Sequence, residues 1–181
     1  MKLEKTRAVF LDRDGVLNRA IVKNGKPYPP SNPEELEIPE DVPQCLQDLK
    51  KAGFLLIGIT NQPDVSRGTQ KKETVEAIHS GLIRALPLER IFVCYHDDRD
   101  SCSCRKPLPG LLLQAAEEYG IDLPSSFIIG DRWKDVEAGK RAGCTAVFID
   151  YEYTDQKTMR PPDYWAHSLT EAVRCILNNR G

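Results

Sequence analysis

The sequence predicts an α/β fold, a doubly wound parallel sheet lying between two layers of helices. Three observations predict it: short segments that are apolar along their whole length, longer amphipathic stretches between them, and polar clusters placed just after the apolar segments. A strand that is apolar throughout suits burial on both faces, the condition in a parallel sheet covered by helices.

The first apolar run, residues 7–11, is bounded by charge and predicts a buried strand. Val42, Cys45, Leu46 and Leu49 recur at helical spacing, and Gly53 is a natural stop for that helix. Residues 54–59 form the next strand. Thr69 is the expected cap of a helix running to about residue 85, followed by a strand over 91–94. Pro109 opens a helix that closes at Gly120. Residues 126–129 and 145–149 are two more strands, separated by a helix over 133–142, and residues 169–177 make the last helix. Residues 18–39, with five prolines, and residues 151–167 lack periodicity and read as ordered loops on a single domain spanning residues 1–181.

A chain of 181 residues supports one compact core and is short for two ordinary domains. With 40% hydrophobic and 29% charged residues it has the balance of a globular protein. A net charge of −2 gives no field that would draw nucleic acid or an anionic membrane, so neither is expected as a partner. No apolar run approaches the roughly 20 residues of a membrane span. The charged start, residues 1–7, does not resemble a signal peptide, so a monomer in the reducing cytoplasm is the expectation.

In such sheets ligands bind beyond the carboxyl ends of the strands. Four polar clusters fall there: Asp12-Arg13-Asp14-Gly15, Thr60-Asn61-Gln62, the loop from Cys94 to Lys106, and Gly130-Asp131. Asp12 and Asp14 are one residue apart, and carboxylates this close need a cation or a shared proton. A hard divalent ion with oxygen ligands satisfies both, and Mg²⁺ suits phosphate chemistry because it also binds substrate oxygens. One carboxylate of the pair can attack phosphorus while the other protonates the leaving oxygen. Asp131 adds a third carboxylate to the same rim, and Asp135, one helical turn on, either orients a neighbour or serves the helix dipole. Thr60, Asn61, Gln62, Arg105 and Lys106 offer donors and positive charge for phosphoryl oxygens, which predicts a small phosphorylated substrate.

Cys94-x-His96 and Cys102-x-Cys104 supply three thiolates and an imidazole, the closed tetrahedral set that structural zinc prefers. Its task would be to fix the loop that carries Arg105 and Lys106. Cys45, Cys144 and Cys175 lie in apolar patterns and read as core fillers, and His79, in mid-helix, reads as structural. Trp133 either lines the site or packs.

The motifs Asp12-Arg13-Asp14-Gly15-Val16-Leu17-Asn18, Thr60-Asn61-Gln62, Cys104-Arg105-Lys106-Pro107-x-Pro109-Gly110 and Gly130-Asp131-x-x-x-Asp135 occur in the order found in haloacid dehalogenase-like phosphatases. The chain resembles that family over about residues 6–150, and the cysteine loop narrows the resemblance to the subgroup of heptose-bisphosphate and histidinol-phosphate phosphatases. The resemblance implies a Rossmann-like three-layer fold with no large cap domain, the zinc loop standing in its place. It implies Asp12 as nucleophile, Asp14 as general acid and base, and Thr60 and Lys106 holding the transferring phosphoryl. Asp12, the Asp14 carbonyl and Asp131 would bind Mg²⁺. A heptose bisphosphate is the expected substrate and histidinol phosphate the alternative. A non-catalytic, zinc-stabilised phosphate-binding module is the alternative of a different class. Pro63 and Asp64 depart from the family's usual Ser-Gly after Thr-Asn-Gln, near the substrate entrance.

Overall fold

The structure is a computed structural model that describes residues 5–157 and 160–179. In chain order its strands are β1 (Ala8–Asp12), β2 (Ile21–Lys23), β3 (Lys26–Tyr28), β4 (Leu55–Asn61), β5 (Arg90–Cys94), β6 (Phe127–Gly130), β7 (Thr145–Ile149) and β8 (Tyr164–Ala166). Its helices are α1 (Val42–Lys51), α2 (Lys72–Ala85), α3 (Gly110–Tyr119), α4 (Trp133–Ala142) and α5 (Leu169–Asn178). Six strands form one parallel sheet in the order β5-β4-β1-β6-β7-β8, with β1 at its centre.

Successive residues of a strand point to opposite faces, and the central strands are apolar on both. Val9 and Leu11 of β1 join a core with Leu46 and Leu49 of α1, Ile78 and Leu82 of α2, and Val173 and Ile176 of α5. Ala8 and Phe10 join the opposite core, with Leu111 and Leu112 of α3 and Val136 and Ala138 of α4. The three-layer, doubly wound arrangement follows from that alternation, and among the described residues there is no cap domain. Gly120 and Gly143 close α3 and α4 at φ +63° and +88°, the left-handed backbone that glycine adopts without cost. Among the described residues no helix is long and apolar enough to cross a membrane.

Three expectations are corrected. The stretch read as a loop over 151–167 contains β8, a three-residue edge strand too short to show a period; Trp165 packs edge-on against Phe148 at 5.2 Å while remaining 55% exposed. The proline-rich stretch over 18–39 contains the β2–β3 hairpin, whose turn residues Asn24 and Gly25 have φ of +52° and +72°. That is the Asn-Gly turn of a tight hairpin, a signal outweighed by the surrounding prolines. Finally, α2 starts at Lys72, not Thr69, because the Thr69 N–H bonds the Asp64 carbonyl at 2.9 Å and closes a turn instead of capping the helix.

Candidate active site

All strands of the sheet run the same way, so their carboxyl ends share one rim. Asp12 ends β1, Thr60 and Asn61 end β4, Cys94 ends β5, and Asp131 follows β6. Lys106 crosses to this rim from the cysteine loop. Its Nζ lies 2.5 Å from Asp12 Oδ1, 2.6 Å from Asp135 Oδ1 and 3.3 Å from the Ile59 carbonyl. Burial alone would lower the lysine pKa, but the carboxylates of Asp12 and Asp135 outweigh it and hold the ammonium charged.

Asp12, Asp131 and Asp135 place carboxylate oxygens within 4.8 Å of one another. Burial, then the charge of Asp135, push Asp12 up to about 7 despite Lys106. Burial, then Asp12 and Asp135, push Asp131 well above the usual carboxylate range. Both oxygens of Asp131 are buried without a hydrogen-bond partner. Gly15 faces them, and a Cβ there would overlap the Asp131 carboxylate. Asp135 has neither oxygen free: Oδ1 takes Lys106, and Oδ2 accepts the Arg132 N–H at 3.0 Å at the start of α4. Three carboxylates facing one ammonium, with one carboxylate orphaned, are a donor set that fits a divalent cation with oxygen ligands.

Asp14 is gripped from several sides. Arg13 Nε and Asn18 Nδ2 each donate to its Oδ1 at 3.0 Å, Gln62 Nε2 donates to Oδ2 at 2.9 Å, and Arg13 Nη2 lies 3.0 Å from Oδ2. Gln62 also donates to Thr60 Oγ1 at 2.9 Å, and Asn61 clamps Lys106, donating to its carbonyl at 2.9 Å and accepting its N–H at 3.1 Å. The side-chain amides of Asn61 and Gln62, expected from sequence to face phosphate, thus have partners inside the protein. Asn61 still borders the cavity, as do Thr60 and Lys106.

The cysteine loop gathers its four donors into one place. Cys94 Sγ is 3.1 Å from Cys104 Sγ and 3.7 Å from Cys102 Sγ, and His96 Nδ1 is 3.4 Å from Cys104 Sγ. Burial and then the Cys104 thiol push the Cys94 thiol up, so thiolates this close need a cation of their own. A metal that takes three sulfurs and one imidazole nitrogen fits. Cross-links stiffen the loop further: Arg67 to Asp97 at 2.6 Å, Ser66 to Asp100 at 2.8 Å, and Arg105 to Asp98 at 2.7 Å. Cys45 and Cys144 are buried and Cys175 half-buried, away from this cluster.

Above Asp12 opens a cavity of about 400 Å³ bordered by Tyr28, Arg67, Arg105, Arg132 and Lys134, with Pro63 and Asp64 at its edge. Several of its cations carry an acidic partner, such as Arg132 with Asp155 at 2.5 Å. Lys134 has its pKa lowered by burial and then by Arg105. Trp133 does not border the cavity; its backbone N–H donates to Gln156 Oε1 at 3.1 Å, while Gln156 Nε2 donates to the Asp131 carbonyl at 2.6 Å. The Thr154 N–H bonds the Gly25 carbonyl at 3.1 Å, so residues 154–156 tie the Asp131 turn to the hairpin. Sequence reasoning missed Gln156 and Arg132, which follow no period and acquire a role only through the fold.

A model of HAD-hydrolase-like proteins matches residues 103–172. The D-glycero-beta-D-manno-heptose-1,7-bisphosphate 7-phosphatase of Helicobacter pylori strain J99 is 38% identical over 144 residues, covering 75% of this chain and 78% of that protein. The enzyme of the same name from Bordetella bronchiseptica is 36% identical over 146 residues, 76% of this chain and 77% of that protein. The crystal structure of D,D-heptose 1,7-bisphosphate phosphatase from B. bronchiseptica, complexed with magnesium and phosphate, is similar with a TM-score of 0.81 and 27% identity, over 96% of this chain and 99% of that one.

Proposed function

The chain belongs to the HAD-like phosphatases, and from that premise we propose that it hydrolyses the 7-phosphate of D-glycero-D-manno-heptose 1,7-bisphosphate. The observation that carries the reading is the buried Asp12–Lys106 pair at the floor of a cavity walled by cations. Asp12, Asp131 and the Asp14 carbonyl would hold Mg²⁺, which offsets negative charge on the transferring phosphoryl group. Cys94, His96, Cys102 and Cys104 would hold zinc with no position left open, a structural site.

Asp12 attacks phosphorus, and the bond to the sugar oxygen breaks. Asp14 gives that oxygen its proton, then takes one from water, which attacks the aspartyl-phosphate and frees phosphate. Lys106 and Thr60 steady the phosphoryl oxygens. A second phosphate on the substrate would sit among Arg105, Arg132 and Lys134, where an anion offsets the repulsion that adds to burial in lowering Lys134. The names of the relatives support a heptose bisphosphate as the molecule with this second charge.

The test is phosphate release from heptose 1,7-bisphosphate of both anomers, histidinol phosphate and common hexose phosphates, with and without Mg²⁺. Rapid, Mg²⁺-dependent release of one phosphate from the heptose, leaving its 1-phosphate, is expected. Preference for histidinol phosphate would replace the substrate, and no release from any compound would overturn the reaction.

A pH dependence follows from the carboxylate cluster. A carboxyl raised to about 7 in the folded chain contributes stability below its ordinary value near 4, and this is lost as pH rises through 7. A cation bound there replaces the missing protons. The gain in thermal midpoint on adding Mg²⁺ to zinc-loaded, magnesium-free protein is therefore expected to grow between pH 5 and 8. A gain independent of pH would place Mg²⁺ elsewhere.

A further inference from the structure

His79 lies on the inner face of α2, 4% exposed, at a position that reads as ordinary packing. Its Nε2 is 3.0 Å from Nη1 of Arg13, the residue between the two aspartates of the first motif. We propose that His79 is a positioning residue: by fixing the guanidinium of Arg13 it holds the Asp14 carboxylate in the orientation from which that group transfers protons. The inference rests on the reading of Asp14 as general acid and base given above.

Arg13 is fully buried, and a guanidinium out of water is tolerated only where its nitrogens are engaged. Nε donates to Asp14 Oδ1 at 3.0 Å, while Nη2 lies 3.0 Å from Oδ2 as an ion pair without hydrogen-bond geometry. One hydrogen bond with an ion pair beside it orients a carboxylate only as firmly as the guanidinium is itself fixed. The arginine stem has several free torsions, and the partner that anchors its third nitrogen, on an element outside the catalytic loop, is His79.

The chemistry of the pair settles the tautomer. A guanidinium can only donate, so Nε2 accepts and the imidazole carries its proton on Nδ1. Glu76 faces that side, with Oε2 3.9 Å from Nδ1. Burial, then the charge of Arg13, hold the His79 pKa down to about 4, consistent with a neutral ring. Glu76 in turn accepts the hydroxyl of Tyr95, which stands between Cys94 and His96. One line of contacts thus runs from the cysteine loop through α2 to Asp14. A histidine needed only to fill space would be served as well by leucine, whereas this contact requires an acceptor at the place of Nε2.

That difference is the test. His79→Leu fills the volume without an acceptor, and His79→Gln puts an amide oxygen near the place of Nε2. Both are assayed on the heptose bisphosphate beside Asp14→Asn and the Asp14→Asn/His79→Leu double variant, with thermal melting to show that each is folded. His79→Leu is expected to lose about tenfold or more in kcat with KM little changed, the scale of loss when the partner of an active-site ligand is removed. His79→Gln should recover most of it. On the Asp14→Asn background the leucine should cost nothing further, because no carboxylate remains to be oriented. If His79→Leu does not fold, His79→Asn, whose shorter amide falls short of Arg13, takes its place.

Equal losses in the leucine and glutamine variants, a rise in KM at constant kcat, or an undiminished penalty on the Asp14→Asn background would overturn the inference. Full activity in His79→Leu with none in Asp14→Asn would remove His79 alone. Full activity in Asp14→Asn would remove both this inference and the reading of Asp14 beneath it.

Discussion

Asp12→Asn is expected to lower kcat by about 10⁴-fold or more while the chain remains folded. The amide is nearly isosteric with the carboxylate but supplies no anionic oxygen to attack phosphorus. Its structural cost is small for a reason visible in the site: Lys106 keeps Asp135 at 2.6 Å after losing the charge of Asp12. One of three crowded carboxylates also disappears, which removes the repulsion that, after burial, raises Asp131. The thermal midpoint of magnesium-free Asp12→Asn should equal or exceed that of the unaltered chain. The two readings together identify the nucleophile: an inactive but undamaged protein is expected, and retention of more than a few per cent of activity would assign the attack to another group.

Cys104→Ser is expected to release zinc and to cut kcat by about tenfold to a hundredfold without abolishing the fold. Cys104 is joined through Arg105 to Lys106, and Lys106 reaches Asp12 only because the loop is held against the sheet. Asn61 clamps the loop from β4, and Arg67 and Ser66 tie its far side, so part of the geometry survives without metal. The loss should therefore fall on kcat and on the thermal midpoint together, in contrast to the Asp12 variant, where it falls on kcat alone. Metal analysis should find one zinc per unaltered chain and none in the variant. A chain that binds no zinc yet works at full rate would make the cysteines a thiol cluster without a metal.

The parts of the molecule that could be read from sequence are those where one residue's environment is set by its neighbours in the chain. The run from Ala8 to Leu11 announces a strand buried on both faces because nothing polar interrupts it, and Gly143 announces the end of α4 by its position after an amphipathic run. The strand-end rule then locates Asp12, Thr60 and Asp131 without coordinates. β8 escapes because three residues at a sheet edge, one of them the exposed Trp165, show no period. Arg13 escapes for the opposite reason. A charged residue between two aspartates looks like a solvated spacer, and only the packing of α2 shows that it is buried against His79. Gln156 takes part in the site across 25 residues of chain, through hydrogen bonds to the Asp131 carbonyl and the Trp133 N–H that no local pattern encodes.

The placement of β1 between β4 and β6 has a consequence for how the chain is made. The strand that ends in Asp12 leaves the ribosome before the other five strands of its sheet, yet its edge toward β6 has no partner until Phe127–Gly130 has emerged. Pairings so distant in sequence close late and are slow relative to helix formation. The carboxylate cluster needs Asp131 as well as Asp12, so a growing or prematurely ended chain that stops before that residue carries Asp12, the proposed nucleophile, without the carboxylate proposed to share its metal. A fragment that ends before Asp131 is therefore expected to lack hydrolytic activity.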